Sequence, residues 1–343
     1  MSDVLFRPIT SDTPVNEVSR IARELLSDLV ISENLTLHPE IVLKVHFGEK
    51  GNVTYLSQDY FAGMIDYLEE RSCKPSYIET NVLYRGERTT RERHLKLALE
   101  HGFNRLPIII ADGEHGEEYS EVHIHGKHFS RCKIAKGVAD APQMLVLSHF
   151  KGHYFSGFGG ALKQLAMGCA ARGGKLDQHA GQTPHINFFT CKRCGLCAAK
   201  CPVGAIRIGL FPRIDSKSCV GCAACISHCP RGAVQANMLR SLSGSFFERL
   251  AEYAYAAGKD KPNLYVSIAA NITRGCDCMG LKMKPIAPDL GVFASTDPVA
   301  LDTACLDLLA RHTGRSLFKR GRRTLAHAEK MGLGSREYTL REV

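Results

Sequence analysis

The run "CKRCGLCAAKCPVGAI", Cys191 to Ile206, returns as "CVGCAACISHCPRGAV", Cys219 to Val234. Both copies read C-x2-C-x2-C-x3-C-P, followed by Gly-Ala and a β-branched residue. A segment so dense in Cys, Gly and Pro cannot carry the apolar periodicity of long helices or strands. It therefore marks a small module of its own, and the chain on either side must be read as the frame around it.

Upstream, strand-like and helix-like segments alternate. "IVLKVHF" (Ile41 to Phe47) has the length and branched residues of a buried strand. "QDYFAGMIDYLEERS" (Gln58 to Ser72) follows with helical spacing, "PSYIET" as a strand, and "TTRERHLKLALEHGF" as a helix ending at Gly102. "LPIIIADG" and "QMLVLSHFKGH" read as the third and fourth strands, and "GGALKQLAMGCAA" as a helix entered through glycines. Downstream come the helix "GSFFERLAEYAYAAG", the strand "NLYVSIAANI", the short apolar "LGVFAS" and the helix "DPVALDTACLDLLARH". Strand and helix in repeated alternation predict an α/β fold with a mainly parallel sheet and flanking helices. The expected organisation is a first α/β part over 1–184, an α+β cysteine module over 185–238, and a second α/β part over 239–343, the two flanks completing one sheet.

The chain has 343 residues, 44% of them hydrophobic and 23% charged, the composition of an ordinary globular protein. No run of about 18 apolar residues is present, so no membrane span is expected. The first residues, "MSDVLFRPITSDTPV", lack the apolar core of a secretion signal, and the expected compartment is the cytoplasm. There the 14 cysteines read as metal ligands or catalytic groups rather than disulfides. The net charge is +9 with a sequence pI near 8.9. No nucleic-acid motif accompanies that charge, and the basic run "RHTGRSLFKRGRR" reads as solvated surface.

The paired cysteine runs resemble the bacterial-type two-cluster ferredoxins over about fifty residues. Four-ligand zinc sites use paired cysteines, not three in one tight loop, and fit poorly. The resemblance implies two 4Fe–4S clusters that relay single electrons. Cys191, Cys194, Cys197 and Cys229 would hold one; Cys219, Cys222, Cys225 and Cys201 would hold the other. Between Cys191 and Val234 seven Lys or Arg face one acid, Asp215. Such a face would steer an acidic electron-transfer protein, such as a ferredoxin or flavodoxin, to the module.

Outside the module, polar residues gather at strand ends, where open α/β sheets bind ligands. "KVHFGEKGNVTYL" places Lys44 and His46 two apart on one strand face, and "SHFKGH" does the same with His149, Lys151 and His153. Lys44, His46, Lys151 and His153 are the catalytic candidates: lysines to neutralise a small anionic substrate, histidines to move protons. The plainer reading is that they are loop residues or cap partners. In "NVLYRGER", Arg85 and Arg88 are candidates to hold a substrate carboxylate. Gly157, Gly159 and Gly160 precede a helix whose N-terminus, with Lys163, would suit an anion. Their spacing is not the dinucleotide fingerprint, and close packing is the simpler reading. Asp297 and Pro298 predict an N-cap and first helical residue.

Six cysteines remain. Cys73, Cys132 and Cys305 read as core residues. Cys169 ends the glycine-led helix, and Cys276 and Cys278 follow a strand in "NITRGCDCMG". These three are the candidates for a third metal or iron–sulfur site, completed by His179 or His153 or left open for substrate. A dithiol redox pair and a merely structural role are the alternatives. Taken in order, "KVHFGEKGNVTY", "NVLYRGER", "SHFKGHYFSGFGGALKQLAMGC", the cysteine runs, "CDCMG" and "STDPVALD" resemble the iron–sulfur proteins built on the domain of unknown function numbered 362. The resemblance spans about residues 40 to 310 and implies a fold and clusters but no settled reaction. The expected function is a redox protein passing electrons through two clusters to the α/β domain. A carrier or scaffold whose α/β domain docks a partner is the other reading.

Overall fold

The computed structural model describes residues 2–84, 86–180, 183–236 and 245–343. Arg85 and the expected seam at residue 238 lie outside the described residues. In chain order the elements begin with β1 (Ser2–Pro8), α1 (Val15–Ser32), β2 (Val42–Lys44), α2 (Ala62–Glu70), β3 (Ser76–Glu79), α3 (Arg91–Glu100) and β4 (Ile108–Ile110). A hairpin of β5 (Tyr119–His123) and β6 (Arg131–Ala135) leads through α4 (Lys136–Asp140) to β7 (Met144–His149). Then come the ribbon β8 (Lys151–His153) and β9 (Gly157–Gly159), α5 (Ala161–Cys169) and α6 (Arg172–Ala180). The cysteine segment holds β10 (His185–Ile186), α7 (Leu196–Ala199), β11 (Ile206–Arg207), β12 (Arg213–Ile214), α8 (Ala224–Ser227) and β13 (Val234–Gln235). The chain closes with α9 (Ser245–Gly258), β14 (Leu264–Ala269), β15 (Gly291–Ser295), α10 (Pro298–Thr313), α11 (Arg322–Lys330) and β16 (Tyr338–Glu342).

The fold is α/β, as the alternation predicts. Eight strands form one sheet in the order β16-β1-β15-β14-β7-β2-β3-β4. Every neighbouring pair is parallel except the two made by β15. Strands β7, β14 and β15 are buried along their whole length, as a sheet covered on both faces requires. Alternate residues feed two cores. Leu145, Leu147, Val266 and Ile268 pack under α1 and α2, whereas Val146, Tyr265, Ala269 and Phe293 pack with α5, α9 and α10. No described helix is long and apolar enough to cross a membrane.

Strands from both sides of the cysteine segment share this sheet: β14 pairs with β7, and β15 with β1. The ends of the segment meet, with His185 opposite Gln235 and Ile186 opposite Val234 in an antiparallel pair. Its small core is Cys197, Ile206, Cys225 and Val234. The N-terminal strand and helix, the β5–β6 hairpin and the C-terminal strand are additions to the sequence reading. "QMLVLSHFKGH" divides into β7 and β8, because His149 ends the sheet strand and Lys151 opens a separate ribbon with β9.

Two helix starts show how the frame is locked. Asp297 caps α10, accepting from the amides of Val299 at 2.8 Å and Ala300 at 2.9 Å. The glycine-led α5 is capped from outside: the buried Asp302 carboxylate accepts from Ala161 N at 2.8 Å and Leu162 N at 2.9 Å. A Cβ on Gly160 would overlap that carboxylate. The anion at this helix start is thus part of the protein, not a ligand.

Burial raises the Asp302 carboxyl from 3.8 to about 7, against the pull of the two amides. A carboxyl raised in this way stabilises the fold below its unfolded value and loses that contribution as pH rises through its folded value. The urea midpoint of Asp302→Asn is therefore expected to depend less on pH between about 4 and 7 than that of the parent. Parallel pH curves for the two proteins would refute the assignment.

Candidate functional site

Strands β14, β7, β2 and β3 are neighbours and parallel, so their carboxyl ends share one edge. Beyond that edge lies a cavity of about 390 Å³. The β14 loop brings Cys276, Cys278 and Met279 to its wall; β7 and β8 bring His149, Lys151 and His153. His46 enters from β2, and Glu79, Leu83, Tyr84 and Arg88 from the β3 end. Helix α5 adds Lys163 and Gln164, α6 adds Lys175 and His179, and α9 adds Phe246 and Leu250. Cations outnumber anions: Arg88, Lys151, Lys163 and Lys175 line the wall with Glu79 as the lining carboxylate.

The β14 loop is pinned by the residue between the two cysteines. Asp277, 1% exposed, pairs with Lys151 and sits 2.9 Å from His149 Nδ1. Its backbone carbonyl accepts from Glu49 N at 2.9 Å. Burial would raise this carboxyl, but the Lys151 and His149 charges outweigh it and hold it below the usual range. His149 gives its other ring nitrogen to Ala270 O at 2.7 Å, tying the end of β7 to that of β14.

The cysteines face the cavity as a pair. A turn, Met279 N to Cys276 O at 2.9 Å, brings their side chains together. Cys276 Sγ accepts from Cys278 N at 3.3 Å and lies 3.7 Å from Lys163 Nζ. Burial opposes ionisation of Cys276, yet the Cys278 thiol, Lys163 and Lys151 together lower its pKa well below the ordinary thiol value. Cys278 is raised, first because its thiol donates to Cys276, then by burial and the neighbouring thiolate.

His153, Cys276 and Cys278 bring ligand atoms within 4.8 Å of one another, a group able to bind a metal. Cys169 is not in it. The expected trio thus changes by one member: Cys169 lies in the core at the end of α5, its thiol pushed up to about 11 by burial. His153 Nδ1 accepts from Phe155 N at 3.2 Å and Ser156 N at 3.0 Å. Burial and the charges of Lys163, His179 and Lys151 keep this ring neutral. Its one proton is then on Nε2.

Of the four catalytic candidates, His46, Lys151 and His153 line the cavity and Lys44 does not. Lys44 is fully buried, bound to Glu79 at 2.9 Å, Val45 O at 2.7 Å and Gln164 Oε1 at 2.9 Å. It positions Glu79, which also meets Arg88 at 3.4 Å. His46 accepts from Gly48 N at 3.0 Å and lies 3.2 Å from Arg88 Nη1; burial, then the Arg88 charge, keep it neutral. Lys163, His179 and Arg88 are at the wall; Cys73, Cys132 and Cys305 are buried apart from it.

The cysteine segment contains two smaller cavities. One is lined by Cys191, Cys194, Cys197 and Cys229, the other by Cys201, Cys219, Cys222 and Cys225. In each, three cysteines come from one run and the fourth from the other. Backbone amides point at sulfur: Arg193 N to Cys191 at 3.4 Å, Ala205 N to Cys201 at 3.3 Å, and Ala233 N to Cys229 at 3.1 Å. The second set abuts the α/β domain. Lys133 Nζ donates to Val220 O at 3.1 Å, and His115 and His228 meet at 4.3 Å between centroids. Ala223 shares one small apolar cluster with Leu176 and Leu83, and Leu83 also lines the large cavity. The first set lies outward, with Cys194 exposed.

Residues 41–307 match the family described as "Domain of unknown function (DUF362)". The chain belongs to that family. None of the curated proteins matches it. A crystal structure of a Thermotoga maritima protein superposes with a TM-score of 0.41 at 9% identity, covering 94% of this chain and 61% of that one. The lactate racemase apoprotein of Thermoanaerobacterium thermosaccharolyticum gives 0.42 at 13% identity, covering 87% and 55%. The chain therefore spans less than two thirds of the length of either protein.

Within the DUF362 frame, the sequence reading missed three wall residues or supports. Glu79 and Lys175 gave no signal beyond lying at a strand end and in a helix. Asp277 was legible only as a turn former, since its partners are more than a hundred residues away. Removing it leaves Lys151 and His149 buried without their carboxylate. Asp277→Ala is expected to lower stability by about 3 kcal/mol, read from urea unfolding, because an orphaned buried charge costs about 3–5 kcal/mol. A loss below about 1 kcal/mol, the range of exposed ion pairs, would show that the network does not hold the loop.

Proposed function

We propose that this protein is an iron–sulfur oxidoreductase that takes single electrons in at its cysteine segment and uses them in the α/β cavity on a small anionic substrate. The carrying observation is the crossed lining of the two small cavities, four cysteines each. That donor set suits cubane clusters: all thiolate, three from one tight loop, with amides directed at sulfur. Cys191, Cys194, Cys197 and Cys229 would hold one 4Fe–4S cluster; Cys219, Cys222, Cys225 and Cys201 would hold the other. When bound, such clusters supply one-electron transfer between the protein surface and the α/β domain. Fourteen cysteines without a disulfide suit a reducing compartment, in keeping with the cytoplasm.

The protein's own residues support that direction. Around the outward set the surface is both apolar and basic. Phe189 is 96% exposed and Phe211 71%. Phe188 stacks on Phe211 at 5.5 Å, and the Arg193 guanidinium lies 5.6 Å from the Phe188 ring. Lys192, Arg193 and Arg231 line the outward cavity. An aromatic patch within a basic field suits an acidic redox protein such as a ferredoxin or flavodoxin. The inward set rests on Leu176 and Leu83, and Leu83 borders the cavity. There Arg88, Lys163 and Lys175 offer charge to an anion, and burial lowers Lys175 to about 8 despite Asp112.

Anaerobically purified protein is expected to carry about eight irons and eight sulfides per chain. Cys222→Ser and Cys194→Ser should each perturb one of two distinguishable paramagnetic signals. Iron near zero, or zinc in its place, would reject this reading. The rate of reduction by an acidic ferredoxin is expected to fall as salt rises, over a range in which the Debye length shrinks from about 10 Å to about 3 Å. Arg193→Glu should weaken that dependence. A rate indifferent to salt would remove the acidic donor.

A further inference from the structure

We propose that Cys276 and Cys278 are a redox-active dithiol that cycles through a Cys276–Cys278 disulfide and reduces a small anionic disulfide bound in the α/β cavity. Three features of the pair point this way. First, the turn closed by Met279 N and Cys276 O puts both sulfurs on one side, whereas a C-x-C in extended chain would splay them. The two sulfurs that would bond lie within 4.8 Å of each other.

Second, Cys276 is surrounded by donors. Cys278 N bonds it at 3.3 Å, and Lys163 Nζ stands 3.7 Å away. Donors and a cation at one sulfur favour the thiolate, the nucleophile of thiol–disulfide exchange. Cys278, the second thiol of the pair, is placed to act as the resolving thiol.

Third, the histidine beside them is poorly set for a metal. A metal at His153 Nδ1 would displace the amide bonds from Phe155 and Ser156. A metal at Nε2 would displace the proton that those bonds leave there. Metal-bound histidines instead donate from their second nitrogen. A neutral histidine carrying one proton beside a thiolate is suited to donate a hydrogen bond to a leaving thiolate.

The reaction balances without a further reactant. The Cys276 thiolate attacks one sulfur of R–S–S–R, the S–S bond breaks, and one R–S⁻ leaves. The Cys278 thiol then gives up its proton and attacks the Cys276 sulfur, releasing the second R–S group. The net change is R–S–S–R plus thiolate and thiol to R–S⁻, R–SH and the protein disulfide. Restoring the pair takes two electrons and one proton, supplied one electron at a time by a low-potential iron–sulfur or flavin carrier. This last step rests on the electron path proposed above; the disulfide itself does not. Substrate charge follows from the wall, where Arg88, Lys163 and Lys175 face the same space as the cysteines.

Residues Gly275 to Lys282 form one tryptic peptide containing both cysteines. Anaerobic protein with its iron intact is treated with dithiodiacetate, quenched in acid, alkylated under denaturing conditions and digested. The peptide is expected to be unalkylated and lighter by two hydrogens. Cys278→Ser should trap a mixed disulfide on Cys276. Dithiodiacetate should react about tenfold faster than cationic cystamine, and Lys163→Met should narrow that ratio. A doubly alkylated peptide after treatment would overturn the proposal. So would a metal ion bound per chain that is lost in Cys278→Ser while the other iron stays unchanged. Cystamine reacting as fast would overturn the anionic substrate. Iron near zero with the disulfide still forming would reject the clusters and leave the dithiol standing.

Discussion

The arrangement depends on one buried carboxylate. Asp277 sits between two cysteines in sequence and between a lysine and a histidine in space. A carboxylate taken from water needs compensating charge and hydrogen bonds, and Lys151 and His149 supply both. Those partners come from the end of β7 and the start of β8, so the same contact fixes where the β14 loop lies. With the backbone locked on each side of Asp277, Cys276 and Cys278 have little choice of direction. The cavity wall, the approach of Lys163 and the closeness of the two sulfurs all follow from that lock.

The parallel sheet explains why so many charged groups meet there. Four neighbouring strands run the same way, and each delivers its following loop to one edge. Inside the sheet, polar groups must be paired, as Lys44 is with Glu79. Just beyond the edge they can face a cavity. Lys44 ends β2 and His46 follows two residues beyond it, yet one is an internal support and the other a wall residue. Burial and neighbouring charge then sort the titrating groups: His46 and His153 are held neutral, and the Cys276 thiol is lowered against its burial by Cys278, Lys163 and Lys151.

The cysteine segment is accommodated because its ends meet. His185 and Gln235 are paired, so the frame sees a connection whose entry and exit nearly coincide. The sheet can therefore be completed by β14 and β15 after the segment without distortion. On the proposed reading the segment has two faces with separate tasks. One is aromatic, basic and open to a partner; the other rests on α6 and on Leu83, against the cavity wall.

Sequence by itself determined the local matters. Periodicity placed β2, β3, β4, β7 and β14 and the helices α2, α3, α5, α9 and α10, because a doubly covered parallel sheet leaves long apolar runs. Asp297 and Pro298 marked a helix start through local hydrogen bonding alone. The cysteine spacing defined the segment, since the repeat is written within one stretch of chain. Tertiary structure decided what depends on distant partners. It took Lys44 and Cys169 out of the site, because Lys44 still lies within the sheet, bound to Glu79 and Gln164, and helix packing turns Cys169 into the core. It brought His153 to the cysteines, filled the α5 start with Asp302, and made Asp277 the anchor. Each of these rests on contacts across more than a hundred residues of chain, and no local pattern records which buried charge will find which.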